Sequence, residues 1–358
     1  MKYLLGVIGI LSLVGAVEAQ ETSGPSFGAQ LEVGMKGSTG GAFQPTSDAN
    51  RNNGAIGPYV RPKLLMEYAG DGFSTFIGYQ LWLETGAQYG TGKSADFDRS
   101  LSFMHYPFGE IAIDLPNDFK AKFYAEMNYT TKSNPEKQAS DNKVFLFAMP
   151  AIERQLNNRF SVGAAYVFMR DQGLDAPNAS FADSKASVLK SFESEAKKSK
   201  STTEQIFNNL SAEEQLERIF NQQAIDSQTS ITSTHLGRLY LNTVFNESLR
   251  LGTYVQAGRA FKNKDKADTT EGQIHNEIRA TISPDLTARL RHRLTVNRTS
   301  GDTWTLDNRL RAIGEYRLGS NWGVYAENTF RVDVSKENGG SKPTTYSNTS
   351  YLGLVYGF

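Results

Sequence analysis

Apolar and polar residues alternate with a period of two along most of the chain, which is the pattern of strands with one apolar face. Residues 119–129 are the clearest case: Phe, Ala, Met and Tyr occupy the odd positions, while Lys, Glu, Asn and Tyr occupy the even ones. Counted in this way, the chain predicts about fourteen strands. Residues 351–358 form the last strand, in which apolar residues again take every second position.

The connections between these strands alternate between short and long. Clusters of Gly, Pro, Asn and Asp of hairpin length recur, for example at residues 69–72, 115–118 and 283–285. Longer polar connections lie at 38–58, 86–100, 131–142, 170–234, 262–272, 298–303 and 336–345. Short turns on one side of a membrane and long loops on the other predict an all-β, transmembrane, antiparallel up-and-down barrel.

Four residues fit this pattern poorly. Pro62, Pro107 and Pro150 fall inside predicted strands, where a proline removes a ladder hydrogen bond. His292 falls on the face that the alternation assigns to lipid. We expect bulges, or positions at the edge of the apolar band, to accommodate them.

The first nineteen residues have the features of a secretory signal peptide. Lys2 supplies the positive charge, residues 4–17 form a short apolar segment, and Val17, Glu18 and Ala19 match a small-x-small cleavage site. We therefore expect a signal peptide at 1–19 and a barrel domain at 20–358, with 170–234 as a long extracellular insertion.

The C-terminal strand resembles the terminal signature of Gram-negative outer-membrane β-barrels, with Gly353, Tyr356 and the final Phe358 as its characteristic residues. The resemblance implies the porin superfamily, recognition of this strand by the barrel assembly machinery, and closure of the barrel by this strand against the first one. It also implies export to the outer membrane and contact there with lipid and lipopolysaccharide. No specific porin family is indicated.

Composition agrees with a barrel and excludes several other classes. The chain has 358 residues, with 38 basic and 38 acidic side chains, so a generic nucleic-acid surface is not expected. It contains no cysteine, which excludes disulfides and thiolate metal sites. Mean hydropathy is low, at -0.45, although 11% of the residues are aromatic. Barrel strands produce this combination because their apolar residues alternate with polar ones.

The polar faces of the later strands are rich in arginine. The predicted pore-lining basic wall comprises Arg238, Arg250, Arg279, Arg289, Arg291, Arg293, Arg309, Arg311, Arg317 and Arg331. The predicted pore-lining acids are Glu32, Glu67, Glu84, Glu126, Glu277, Asp307, Glu315, Glu327 and Asp333. A basic wall that faces a mixed one creates a transverse field, which favours polar solutes over apolar ones. Ordinary ion-paired packing without selectivity is the alternative interpretation.

Catalysis is not expected. Only four histidines are present, and no catalytic motif surrounds them. His275 and Glu277, on one strand face, are the sole pair that could act as acid and base, and a hydrogen-bonding role in the lumen is the better interpretation. We expect no cofactor and no metal site.

The insertion at 170–234 reads as helical. Residues 201–204 and 211–214 both look like capping boxes that start short helices. Two thin helical stripes accompany them: one is Leu216, Ile219, Phe220 and Gln223, and the other is Val188, Leu189, Phe192 and Ala196. The apolar stripes favour a lid or a constriction element. A solvated surface loop is the other possibility.

These observations predict an outer-membrane porin, monomeric or homotrimeric, that passes small hydrophilic solutes and ions by diffusion with a mild preference for anions. The alternative is a barrel that acts mainly as an adhesin or interaction protein through its long loops.

Overall fold

The computed structural model describes residues 25–42, 53–90, 99–134, 139–174, 181–226, 230–263, 268–299, 303–337, 340–341 and 344–357. These residues form a closed antiparallel up-and-down barrel of fourteen strands, as the alternation predicts. The predicted signal peptide and Phe358 lie outside the described residues.

Four short helices stand between the seventh and eighth strands. The first seven strands are β1 (Ser26–Ala42), β2 (Asn53–Gly70), β3 (Phe73–Gly90), β4 (Arg99–Leu115), β5 (Phe119–Asn134), β6 (Ala139–Gln155) and β7 (Phe160–Gly173). The helices are α1 (Phe181–Ser191), α2 (Glu193–Ser199), α3 (Thr203–Asn208) and α4 (Ala212–Asp226). The remaining strands are β8 (Ile231–Asn246), β9 (Leu249–Lys262), β10 (Thr269–Ser283), β11 (Leu286–Thr299), β12 (Trp304–Arg317), β13 (Trp322–Glu337) and β14 (Thr345–Gly357). A two-residue strand, Gly340–Ser341, pairs with the end of β13.

Each strand pairs with its neighbours in sequence, and β14 closes the barrel against β1. At this seam Gly34 lies opposite Gly353, and Gln30 lies opposite Gly357. The closing strand is therefore the C-terminal one, which agrees with the role that the terminal signature implies. Because both edges are paired, the barrel has no free sheet edge within the apolar band.

The outer face is apolar and carries aromatic residues near both ends. Phe123 and Met127 on β5 and Ile274 and Ile278 on β10 are typical outward side chains, each exposed by more than a third. Outward rings near the short turns include Tyr68, Phe73, Phe160, Phe245, Tyr316 and Trp322, and those towards the other end include Tyr79, Tyr129, Tyr166, Phe168 and Phe261. Two aromatic girdles around an apolar band are the mark of a barrel that spans a lipid bilayer.

The prolines lie within regular strands and cause no bulge. Pro62 pairs with Leu31 of β1, while the ladder to β3 is interrupted there and resumes in the same register. Pro107 and Pro150 likewise pair on one side and fall in a gap on the other. The expected bulges are therefore wrong: the missing N–H of each proline costs one local interruption rather than a shift of register.

The strands extend further than the alternation suggests. The 38–58 connection was expected to be a loop, yet β1 continues to Ala42 and β2 already begins at Asn53. The same extension occurs at the ends of β3 to β6. Beyond the bilayer both faces of a strand meet water, so the sequence loses its period of two although the ladder continues.

The short turns agree with their composition. Asn117 and Asp118 both have positive φ, at 60° and 62°, in the left-handed region that these two residue types tolerate. In the turn between β2 and β3, Gly72 alone has positive φ, at 72°, which glycine adopts without strain. No helix among the described residues is long and apolar enough to cross a membrane.

The insertion folds around a small core of its own. Val188, Phe192, Phe207 and Ile219 are buried against one another, and Leu189, Ile206 and Leu210 pack around them. The predicted stripe is therefore only partly covered: Ile219 is buried, whereas Leu216 is 47% exposed.

Both predicted helix starts are present, one of them displaced. At the start of α4 the Ser211 amide donates to the Glu214 carboxylate at 2.8 Å, and the Glu214 amide donates to the Ser211 hydroxyl at 3.2 Å. The other capping box is formed by Thr202 and Gln205 rather than by Ser201 and Glu204. The displacement by one residue reflects that glutamine can close the box as well as glutamate.

Candidate functional site: the inner wall of the barrel

The strand register places all the predicted arginines on inward positions of β8 to β13, and it sets most of them directly opposite one another. The cross-strand neighbours form three arginine rows: Arg250, Arg279 and Arg289; Arg291 and Arg311; and Arg293, Arg309 and Arg331. Like charges directly opposite each other on a sheet are destabilising. A wall of this kind therefore requires carboxylates or other anions close by.

Carboxylates on the same wall neutralise most of the rows. Glu277 accepts hydrogen bonds from two arginines, Arg279 and Arg291. The other ion pairs are Arg289 with Glu315 at 2.8 Å, Arg311 with Glu327 at 2.6 Å, Arg309 with Asp307 at 2.6 Å, and Arg331 with Asp307 at 2.9 Å and Asp333 at 2.8 Å. The inner face of β10 to β13 is thus a network of ion pairs rather than a uniformly basic surface.

Four arginines of this wall form no ion pair with a described carboxylate: Arg238, Arg250, Arg293 and Arg317. Arg293 lies in the third row, between His275 of β10 and Arg309 of β12, and its Nε is buried without a hydrogen-bond partner. The positive charge that is left over on the wall is therefore concentrated on a few identifiable side chains.

A chain of amide and aromatic side chains adjoins Arg293. Arg238 donates to Gln256 at 2.9 Å, Gln256 donates to Gln273 at 2.6 Å, and Gln273 donates to the Tyr254 hydroxyl at 3.1 Å. The Arg238 guanidinium also lies 4.1 Å from the centre of the Tyr254 ring. Hydrogen bonds and a cation–π contact, rather than a carboxylate, therefore hold the Arg238 side chain in place.

The histidine and glutamate considered as an acid–base pair have other partners. His275 stacks on Tyr254, with the ring centres 4.6 Å apart, and its Nδ1 is buried. Glu277 is occupied by Arg279 and Arg291. The Glu277 carboxylate therefore positions arginine side chains and not the His275 ring.

Across the seam, the inner wall of β1 to β3 is built around one buried arginine. Arg61 is only 3% exposed. The centre of its guanidinium lies 3.7 Å from the Trp82 ring, 4.2 Å from the Tyr351 ring and 4.4 Å from the Tyr59 ring. The three rings shield the cation from the lumen and supply cation–π attraction in place of water.

Two of the predicted acids complete this seam cluster. Glu32 accepts from the Tyr59 hydroxyl at 2.7 Å and from Arg61 at 3.4 Å. Glu84 accepts from Lys36 at 2.6 Å and from Arg61 at 3.3 Å. Because these residues come from β1, β2 and β3 and Tyr351 comes from β14, the cluster joins both sides of the barrel closure.

Two glycines make room for this cluster. A Cβ on Gly353 would lie 2.5 Å from the Tyr59 hydroxyl and 2.6 Å from the Val33 carbonyl oxygen, and Gly34 is equally crowded by β14. Tyr59 is buried to 1% exposure against them. Gly353 of the terminal signature thus has a packing role on the inner face, whereas Tyr356 lies outward beside Trp322, with ring centres 4.6 Å apart.

The other predicted acids lie at separate places on the inner face. Glu126 accepts from the hydroxyls of Tyr106 and Tyr124 at 2.5 and 2.6 Å. Glu67 lies at an exposed inward position near the short-turn end of β2. An ion pair that was not predicted joins Lys122 and Glu153 at 2.5 Å. It was missed because β6 alternates only weakly.

The aromatic members of the inner wall were also missed. Tyr59, Trp82, Tyr351, Tyr254 and Tyr325 all stand at positions of the polar phase. An aromatic residue that is out of phase with the apolar face is a signal that could have identified them, because such a ring must face the lumen.

A cavity of about 720 Å³ opens on the inner side of the seam. Glu32, Arg61 and Lys63 line it from one side, and Arg289, Arg311 and Glu315 line it from the other. Its walls carry both signs of charge, so it suits water and polar solutes better than apolar ones.

A closed fourteen-stranded sheet with an apolar exterior, aromatic girdles and a charged interior defines the architecture. The fold is an antiparallel up-and-down β-barrel with the features of a barrel that spans a membrane. No protein-family model matches the chain, and no curated protein matches it.

Several solved structures match the chain at very low identity. The toluene transporter TodX of P. putida shares 9% identity, with 95% of this chain and 90% of that chain covered and a TM-score of 0.46. OmpT, an outer-membrane protein of Vibrio cholerae in its trimer form, shares 10% identity over 94% of this chain and 99% of that one, with a TM-score of 0.45. A Pseudomonas aeruginosa FadL homologue shares 10% identity over 92% and 90%, with a TM-score of 0.44. Likeness at this level carries neither substrate nor mechanism.

Proposed function

We propose that the protein is an outer-membrane porin: a water-filled channel through which small hydrophilic solutes and ions diffuse. The observation that carries the proposal is the inner wall, where ion-paired arginines and carboxylates on β8 to β13 face polar and aromatic clusters on β1 to β5. Such a wall hydrates readily and disfavours apolar solutes.

The strand number is consistent with this function. Eight-stranded barrels fill their interior with side chains, whereas barrels of sixteen to eighteen strands leave a wide aqueous channel. Fourteen strands with long charged side chains on the inner face leave a narrower passage. We infer that solute size is limited mainly by these side chains and by whatever part of the insertion enters the lumen.

The residual charge of the wall favours a mild anion preference. Arg238, Arg250, Arg293 and Arg317 keep their charge at any relevant pH, since guanidinium groups remain protonated. The many ion pairs around them limit the preference, because paired charges largely cancel at the distance of a passing ion.

The test is electrical. Purified protein reconstituted in a planar bilayer should produce discrete conductance steps, and the reversal potential in a salt gradient should report slight selectivity for anions. A properly folded barrel that gives no conductance would overturn the proposal.

One feature favours a second candidate, an adhesin or interaction protein that acts through its loops. The insertion has its own buried core of Val188, Phe192, Phe207 and Ile219, as a small binding unit would. If this role is the main one, deletion of residues 181–226 should abolish attachment of cells to a surface or partner while leaving the barrel folded.

A further inference from the structure

The outer face of the barrel is not uniform: on β9 to β14 it carries polar side chains at positions that the strand phase directs towards lipid. We define the outer polar strip as Thr253, Asn276, His292, Asn308, Asn328, Asn348 and Ser350. Each occupies the same phase as exposed apolar neighbours such as Val255, Ile278 and Leu310.

Members of the strip hydrogen-bond to one another across strands. Thr253 donates to Asn276 at 3.0 Å, and His292 lies 3.0 Å from the Asn308 side-chain oxygen. Asn328 donates to both Asn348 and Ser350 at 2.8 Å. These bonds use only part of the capacity of the strip, because each amide has two N–H donors and an oxygen with two lone pairs.

Elsewhere the outer face carries histidines that already have a tyrosine partner: His105 is hydrogen-bonded to Tyr79 at 2.6 Å, and His235 is hydrogen-bonded to Tyr166. The alternating segments of β2 and β5 carry no outward polar side chain apart from tyrosine. On β5 the outward residues from 119 to 129 are Phe, Ala, Phe, Ala, Met and Tyr, and on β2 those from 60 to 68 are Val, Pro, Leu, Met and Tyr. Acyl chains offer no hydrogen-bond partner to the donors and acceptors that these side chains leave unused, and facing lipid with such a group unsatisfied is unfavourable. A strip of polar side chains across six of the fourteen strands, with amides on four of them, therefore calls for a partner that can hydrogen-bond.

The surface beside the strip forms a shallow apolar depression. A depression of about 570 Å³ continues from Asn328 and Ser350 across Ala280, Ala288, Ala312 and Ala326. Small outward side chains allow another protein surface to approach the backbone closely, as they do between membrane segments generally.

We propose that this face of β9 to β14 is an interface with a second copy of the same chain. Amide groups are self-complementary, since each both donates and accepts, so identical strips on two copies can complete each other's hydrogen bonds. Six strands spaced at about 4.8 Å under an apolar band about 25 Å tall present roughly 700–900 Å². That is about the 800 Å² which each partner contributes to a stable interface.

The test compares tryptophan substitutions on the two sides of the barrel. The unmutated full chain should have the mass of two or more chains, both in mild detergent and in nanodiscs of native lipid. Ala312→Trp and Ala326→Trp, each of which fills the depression, should convert the assembly to monomers. Ala121→Trp and Ala125→Trp on the outer face of β5 are the matched controls and should leave its mass unchanged.

Replacing a polar residue of the strip by an apolar one has opposite effects on stability when the strip faces a second copy and when it faces lipid. If Asn328 faces a second copy, Asn328→Leu should weaken the assembly; if it faces lipid, the same change should raise the unfolding temperature of a monomer. Retention of the heat-modifiable gel band shows in each case that the barrel is folded. A monomeric unmutated protein, with or without a tightly bound lipid, or equal effects of the β5 and β12–β13 tryptophans, would overturn the proposal.

Discussion

Arg293 offers the sharpest test of ion selectivity, because it is the arginine of the third row that forms no ion pair with a described carboxylate. Its row neighbours Arg309 and Arg331 share Asp307, whereas Arg293 lies beside His275. Arg293→Gln removes one positive charge and puts a neutral, polar amide in place of the guanidinium. We expect the channel to become less selective for anions.

The magnitude follows from screened electrostatics. A guanidinium on the wall of a fourteen-stranded barrel lies roughly 8 Å from the pore axis. A unit charge at that distance contributes about 0.5 kcal/mol in water, and a Debye length of about 10 Å at 0.1 M salt reduces this to about 0.2 kcal/mol. The sign is opposite for cations and anions, so the anion-to-cation permeability ratio should fall about 2-fold.

The assay is the reversal potential of single channels in a salt gradient. An energy of about 0.2 kcal/mol corresponds to a shift of roughly 10 mV towards cation selectivity. At 1 M salt the Debye length is about 3 Å, and the shift should nearly vanish. Replacing Arg289, Arg291 and Arg293 together by Gln should give a larger shift of the same sign.

Two controls separate charge from packing. Arg293→Lys keeps the charge and should leave the reversal potential unchanged. The double replacement Arg289→Gln with Glu315→Gln removes an ion pair of 2.8 Å with no change of net charge, and it should also have little effect. An unaltered reversal potential in Arg293→Gln at low salt would refute the reasoning, because it would place this guanidinium away from the path of the ions.

Three further predictions follow from other parts of the chain. Gly353→Ala should lower the unfolding temperature on heated gels, at a cost of about 1–3 kcal/mol, because the added methyl would overlap Tyr59; Gly28→Ala, where nothing lies within 4 Å, is the control and should be neutral. Deletion of residues 181–226 should raise single-channel conductance and reduce spontaneous closures with the barrel intact, and unchanged conductance would mean that the insertion stays outside the lumen. Hydrogen bonds from the backbone and side chain of the preceding N-cap serine hold the pKa of Glu214 below its usual range. The cap is therefore complete at neutral pH and is lost as pH falls through that lowered pKa. The protection factors of the first-turn amides of α4, corrected for the intrinsic pH dependence of hydrogen exchange, should fall under acid conditions but not in a Glu214→Gln variant.

The strand pattern of this protein is a property of its sequence alone. In residues 119–129 a period of two is the only arrangement that puts every apolar side chain on one face, and this local rule determined the strands, their inward and outward phases and the barrel class. For the same reason the inward position of each arginine could be predicted. Strand ends could not, because a ladder continues in water without any apolar alternation, as at Ala42 and Asn53.

Only the tertiary structure decided which side chains are partners. The three arginine rows depend on the register between neighbouring strands, and the seam cluster around Arg61 depends on the meeting of β14 with β1, more than 300 residues apart. Register is set by turn lengths and by the close packing of Gly34 and Gly353 against Tyr59, which no single strand encodes. The outer polar strip has the same origin: apart from His292, each of its residues is an ordinary polar position in its own strand, and the strip exists only where six strands lie side by side.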